Sequence, residues 1–79
     1  MDRLNDPAPA NIDKGTYRHF KTGALYTVIG VALHTETGEQ LVIYRPLYES
    51  EHELFARPYD MFIESVEIGG KMVPRFQAE

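Results

Sequence analysis

Three histidines and one nearby acid give this chain its clearest capacity for metal chemistry. Imidazole and carboxylate groups are common ligands of zinc and iron. His34 and Glu36 lie two positions apart and share one side of a strand that continues that far, and His19 joins them if the first two strands pair in the right register. The spacing matches no known ligand signature, and such histidines more often bond to backbone or water. We keep a small metal-dependent or hydrolytic enzyme using His19, His34 and Glu36 as the weakest of three hypotheses and expect no cofactor.

Other catalytic patterns are missing from the sequence. The chain has no cysteine, and its serines, Ser50 and Ser65, lie in acidic surroundings without a Gly-x-Ser-x-Gly elbow. Gly69 and Gly70 precede a strand-like segment instead of the helix N-terminus that a phosphate loop requires. The sequence therefore predicts no catalytic residue.

The cations are unevenly distributed. A formal net charge of -4 argues against a dedicated nucleic-acid binder, because clustered Lys and Arg supply most of the affinity of such proteins. Lys14, Arg18 and Lys21, with His19, nevertheless fall in an acid-free stretch that covers the first predicted hairpin. Small barrels contact single strands through cations and stacking aromatics. An RNA or nucleotide contact through these four residues is the second hypothesis.

Tyrosine is abundant for so short a chain, with five among 79 residues. Its large apolar ring and polar tip suit half-exposed binding surfaces. Tyr17 and His19 alternate to one side of the first predicted strand, and Tyr48 and Arg57 flank an acidic loop where the sheet must turn back. We expect these four residues to form one partly exposed ligand-binding surface. The leading hypothesis is a binding module for a protein or peptide.

The elements that position these residues are short strands. Apolar patterns and turn signals predict strands over residues 16–20, 24–34, 40–44, 54–57 and 63–68, with one helical turn at 59–62 before the last of them. Gly30, inside the longest strand, indicates a bulge or bend. This order is typical of an all-β, SH3-like barrel of about five strands, whereas an OB-like barrel needs a longer helix. The expected core is Val28, Ala32, Val42, Leu54, Met61, Phe62 and Val66.

Composition divides the chain into three parts. Residues 1–13 carry too little apolar surface to offset the cost of ordering and are predicted to be a disordered tail. Residues 14–68 form the barrel, and residues 69–79 form a C-terminal extension that can add an edge strand. The absence of cysteine and of an apolar leader favours a cytoplasmic protein without a membrane segment. We expect a monomer or a weak homo-oligomer, with a protein or peptide partner ahead of nucleic acid.

The stretch from Gly15 to Val66 also carries a family resemblance. It contains a Tyr-x-His-x-Lys opening, a Tyr-x-Val-x-Gly-Val-Ala-x-His-x-Glu-Thr core, a Val-x-Tyr-x-x-Leu-Tyr strand and an Arg-Pro-x-x-Met-Phe close. The matching positions are Tyr17, His19, Lys21, Tyr26, Val28, Gly30, His34, Glu36, Thr37, Tyr44, Leu47, Tyr48, Arg57, Pro58, Met61 and Phe62. The stretch resembles the small bacterial proteins grouped as domain of unknown function 1653, although Phe55 stands where Trp is more usual. This resemblance implies a family but no activity, ligand or catalytic residue.

Overall fold

Seven β-strands and one helical turn make up the fold in a computed structural model that describes residues 8–79. The elements are β1 Gly15–His19, β2 Leu25–Leu33, β3 Gln40–Pro46, β4 Phe55–Pro58, α1 Tyr59–Phe62, β5 Ser65–Ile68, β6 Lys71–Pro74 and β7 Phe76–Ala78. The prediction of an all-β fold with one short helical turn is confirmed. Within residues 8–79, no helix is long and apolar enough to cross a membrane.

Five of the strands form one antiparallel sheet in the order β4-β3-β2-β1-β7. This is the strand order expected of an SH3-like barrel, with the helical turn between β4 and the later strands. Arg57 on the edge strand β4 lies over the ring of Phe76 on the opposite edge strand β7. This contact shows that the sheet is strongly curved. In the described part of the chain, β4 and β7 share no ladder, so the barrel stays open along one side.

The last strand of this sheet is not the one that the sequence indicated. Residues 65–68 pair with β6 in a separate two-stranded hairpin. Gly69 and Gly70 connect them with φ values of 56° and 83°, the left-handed geometry that a two-residue type I′ turn requires. The strand predicted over residues 63–68 therefore forms, over residues 65–68, outside the five-stranded sheet. Phe76–Ala78 takes the edge position beside β1, within the segment predicted as an extension.

The predicted tail of residues 1–13 lies partly outside the described residues. Residues 8–13 contain no helix or strand, yet they run against the sheet. Ile12 packs on the core, and the carbonyl oxygen of Asn11 accepts a hydrogen bond of 2.9 Å from the Tyr59 hydroxyl. Hydrogen bonds of the Gln40 side chain with the backbone of Ala8 and Ala10 attach the segment further to the folded domain.

The core is small and mostly aromatic. Its buried members are Tyr17, Val28, Val42, Tyr44, Phe62 and Phe76. Phe62 is the centre, because its ring stacks on Phe76 at 4.1 Å and meets Tyr44 edge-on at 5.3 Å. Burial was predicted correctly for Val28, Val42 and Phe62. It was wrong for Met61, which is 47% exposed because Phe62 is the residue of α1 that is buried, and for Leu54, which is 47% exposed in the loop before β4. Ala32 and Val66 are only partly buried and lie outside the core cluster.

The bulge predicted at Gly30 is confirmed. Val28 pairs with Tyr44 and Gly30 with the adjacent Ile43, so Ile29 is an extra residue on β2 and the register shifts there. The extra residue increases the local twist and lets one long strand follow the curve of the sheet.

Replacement of Gly30 by alanine is expected to stabilise the protein. A Cβ added at Gly30 meets no atom within 4 Å, and the backbone there lies outside the left-handed region. Under these conditions a Gly→Ala change stabilises by about 0.4–1 kcal/mol, because it restricts the unfolded chain. Urea unfolding curves measure the change. Gly70→Ala is the matched control, expected to destabilise by roughly 1–2 kcal/mol because its φ of 83° is left-handed. A lower urea midpoint for Gly30→Ala would show that the bulge requires glycine.

Candidate functional site

Three half-exposed rings meet at the open end of the curved sheet. Tyr26 lies on β2, Phe55 begins β4 and Tyr48 follows β3. Tyr26 meets Tyr48 at 5.6 Å and Phe55 at 6.2 Å between ring centroids. We call Tyr26, Tyr48 and Phe55 the aromatic surface. The buried rings of Phe76 and Tyr44 contact this surface on its core side. Their centroids lie 5.8 Å and 5.3 Å, respectively, from the centroid of Tyr26.

Strand alternation and register create this arrangement. Tyr44 pairs with Phe55 across β3 and β4, so the two side chains point to the same face of the sheet. Tyr26 pairs with Pro46 two residues further along β3, and the chain then continues to Tyr48. Residues from three consecutive segments of the chain therefore converge on one end of the core.

The aromatic surface carries no charge at neutral pH. The hydroxyls of Tyr26 and Tyr48 lie 3.3 Å apart and share a hydrogen bond. Burial, together with this hydrogen bond, raises the pKa of Tyr26 to about 12. Tyr26 therefore stays protonated at neutral pH, and the surface offers large apolar rings with neutral polar tips.

Arg57 borders the aromatic surface and reaches over the core. Its guanidinium carbon lies 5.3 Å from the centre of the Phe76 ring, and its Nε donates a hydrogen bond of 3.3 Å to the Tyr44 hydroxyl. Pairing with Val42 on β3 places this side chain on the core face of β4. None of the ion pairs within residues 8–79 includes Arg57. Its terminal amino groups form no hydrogen bond with any other described residue.

His19 contacts the same Phe76 ring, edge-on at 4.9 Å between ring centroids. Its Nδ1 accepts a hydrogen bond of 3.2 Å from the backbone N–H of Lys21. Burial lowers the pKa of His19, and the nearby charges of Arg57, Arg75 and Lys21 lower it further. The imidazole is thus favoured in its neutral form, in which Nε2 is the remaining donor.

The structure brings together three of the four residues predicted as the ligand-binding surface. His19 and Arg57 share Phe76, and Tyr48 joins them through Tyr26. Tyr17 does not take part. Tyr17 is only 9% exposed, and its hydroxyl donates a hydrogen bond of 2.7 Å to the carbonyl oxygen of Asp13. Its ring packs in the core, so it presents no free face to a ligand.

Three of the four residues predicted for a nucleic-acid contact, Arg18, His19 and Lys21, line a groove. The groove has a volume of about 550 Å³ and runs between the β1–β2 turn and the β5–β6 hairpin. Its lining includes Arg18, His19, Phe20, Lys21, Ile68 and Val73. Arg18 is already paired with Glu79 at 2.9 Å, and Lys14 is not among the lining residues. Only part of the predicted cationic set therefore faces the groove.

The predicted metal ligands are not brought together. His19 lies next to the start of β2, whereas His34 and Glu36 follow its end, so the whole length of β2 separates them. His34 Nδ1 instead accepts a hydrogen bond of 3.2 Å from the backbone N–H of Glu36. Across residues 8–79, no group of three His, Cys, Asp or Glu side chains is placed to hold a metal ion. The hypothesis of a metal site at these residues is wrong because the register keeps them apart.

Comparisons with known proteins agree with this fold. The family described as "Protein of unknown function (DUF1653)" matches residues 15–78. A crystal structure of a protein belonging to DUF1653 from Bordetella bronchiseptica is similar, with 33% sequence identity and a TM-score of 0.79. The similarity covers 91% of this chain and 92% of that chain. Among the curated proteins, none matches.

Proposed function

The chain belongs to the family of proteins of unknown function DUF1653, and we propose that it is a binding module that holds a peptide segment of a partner protein on its aromatic surface. The observation that carries this proposal is the cluster of Tyr26, Tyr48 and Phe55 over a buried aromatic floor. Such rings offer large contact areas and lose little conformational entropy on binding. Tyr and Arg are also enriched among the residues that dominate binding energy at interfaces.

The position of the aromatic surface favours an extended peptide. Phe55 lies on β4, which is an edge strand in the described part of the sheet. Exposed edges bind extended segments by adding a strand, and neighbouring pockets then select alternate side chains. Leu47 and Leu54, the chain neighbours of Tyr48 and Phe55, are both about half-exposed and add apolar side chains to this region. A peptide beside β4 would therefore find backbone partners and an aromatic contact area together.

Peptide display tests this proposal with a defined probe. We expect a random heptapeptide library panned on the full chain to enrich sequences whose binding falls at least tenfold in Tyr48→Ala. Tyr48 is 46% exposed, so this change should leave the melting midpoint within a few degrees of wild type. Met72→Ala is the control, because Met72 is 66% exposed on the separate hairpin and should leave binding unchanged. Enriched peptides that bind both variants equally, or a library without enrichment, would contradict the proposal.

A single-stranded nucleic acid is the second candidate ligand, and the observation favouring it is the groove beside Arg18, His19 and Lys21. Affinity for a decanucleotide should then fall steeply between low and physiological salt, because bound cations are released from the phosphates. Binding to the uncharged aromatic surface should change much less with salt. A titration at two salt concentrations separates the two candidates.

A further inference from the structure

We propose that Arg57 and His19 form a carboxylate-binding site at the border of the aromatic surface, so that the recognised peptide presents an acidic group next to an apolar side chain. This inference rests on the proposed function, because it names the chemistry of the partner at the same surface. Its basis is geometric. The guanidinium of Arg57 and the imidazole of His19 pack on one ring, Phe76, at 5.3 Å and 4.9 Å.

Arg57 is oriented but not neutralised within residues 8–79. The Phe76 ring and the Tyr44 hydroxyl fix its position, and the hydroxyl takes up only Nε. Its two terminal amino groups form no hydrogen bond or ion pair with any described residue. A planar fork of N–H donors held in this way fits the two oxygens of a carboxylate. The Arg57 side chain is therefore held in place before a ligand binds.

The charges around His19 favour an anion with a single charge. Arg57, Arg75 and Lys21 all raise the local potential at its ring. Arg75 is paired with Glu64, and Lys21 is solvent-exposed, where salt screens its charge. Among these three cations, Arg57 is half-buried and forms no ion pair with any residue of 8–79, and the neutral His19 adds an N–H donor. This set complements a carboxylate better than a doubly charged phosphate.

Three small probes, added to the chain of 79 residues, test the site. N-acetyl-phenylalanine has an aromatic ring beside a terminal carboxylate, and N-acetyl-phenylalaninamide is its neutral match. N-acetyl-Phe-Glu-amide moves the carboxylate to a side chain. We expect at least one acidic probe to bind at least tenfold more tightly than the amide. The acidic probe that binds more tightly shows whether the site takes a C-terminal or a side-chain carboxylate. Binding is followed by NMR signals of the His19 ring and the Arg57 Nε–H.

The His19 titration supplies an independent readout. A carboxylate bound beside the imidazole favours its charged form, so the acidic probe should raise the pKa of His19, while the amide should not. Arg57→Gln should reduce the affinity ratio of acid to amide to about one. Arg57→Lys keeps the charge but loses the fork, and should retain only part of the ratio. Arg18→Gln is the control, because Arg18 lies at the groove and is already paired with Glu79.

The outcomes separate this inference from the proposed function. Equal binding of acid and amide, with shifts at Tyr26 and Tyr48 but none at His19, would overturn the carboxylate site and leave the aromatic surface in place. The opposite outcome is that the acidic probe raises the pKa of His19 while no peptide from the display experiment depends on Tyr48 for binding. This result would support the carboxylate site and reject the peptide-binding surface. If Arg57→Gln does not fold, the wild-type His19 titration still decides, because an unchanged pKa with the acidic probe overturns the inference.

Discussion

A chain that ends at Arg75 is expected to lose its cooperative unfolding transition. Removal of residues 76–79 takes away β7, the edge strand that pairs with β1. It also removes Phe76, which is 6% exposed and stacks on Phe62. Loss of a buried Phe side chain alone costs about 3–5 kcal/mol. Because small domains are stable by only about 0.05–0.15 kcal/mol per residue, this loss removes much of the free energy of unfolding of a chain of 79 residues.

Circular dichroism during heating, with an amide NMR spectrum at 25 °C, measures this prediction. The truncated chain should show no sharp melting transition and poorly dispersed amide signals. The control is a chain that ends at Ala78. It loses Glu79, whose ion pair with Arg18 is exposed and therefore worth little, and one backbone hydrogen bond at the chain end, from the Glu79 N–H to the Thr16 carbonyl oxygen. A chain ending at Arg75 that melts within a few degrees of the full chain would show that β7 is dispensable.

Phe62→Ala is expected to be the most destabilising single substitution among those proposed for this protein. Phe62 is 1% exposed and contacts Phe76, Tyr44 and Tyr17. The change combines the lost burial of the ring with a cavity that the rigid strands cannot fill, and should cost about 3–5 kcal/mol. Urea unfolding monitored by tyrosine fluorescence or circular dichroism provides the midpoints.

The neighbouring Met61 offers a matched control for this substitution. Met61 belongs to the same helical turn but is 47% exposed. Met61→Ala should therefore change the free energy of unfolding by only about 0.5 kcal/mol, as is usual for surface positions. If Met61→Ala is as destabilising as Phe62→Ala, the Met61 side chain of α1 must also pack in the core.

Local sequence patterns were sufficient to predict the first part of the fold. Alternating apolar residues located β1, β2 and β3 to within a few positions, because each has one face on the core and strong turn signals at its ends. Gly30 marked the bulge correctly. These features depend on residues that are close in sequence, so a single sequence is sufficient to predict them.

The C-terminal part depended on pairing that local patterns do not encode. Residues 65–68 have the composition of a strand in either position, and only the two-glycine turn commits them to β6. Phe76 and Ala78 alternate correctly for an edge strand, but Pro74 cannot donate a hydrogen bond to a ladder, so the sequence predicted only an extension that can add such a strand. Pairing of β7 with β1 joins residues about sixty positions apart, and no short pattern reports such a contact.

The candidate site was predicted only in part for the same reason. His19, Tyr48 and Arg57 were identified from residue type and from their positions next to turns. Phe76 was missed, although it is the ring that joins His19 to Arg57, because its segment was predicted only as an extension that can add an edge strand and not as part of the core. Tyr17 was assigned to the surface, whereas the curvature of the sheet turns its face inward onto Phe62. Which face becomes the core depends on how the whole sheet closes.

The most direct test of the peptide-binding surface is an NMR measurement of nuclear Overhauser effects between the protein and a bound, display-selected heptapeptide. We expect cross-peaks from peptide side chains to the ring protons of Tyr26, Tyr48 and Phe55. Cross-peaks confined to Phe20 and Val73 would place the ligand in the groove and contradict the assignment of the aromatic surface as the binding site.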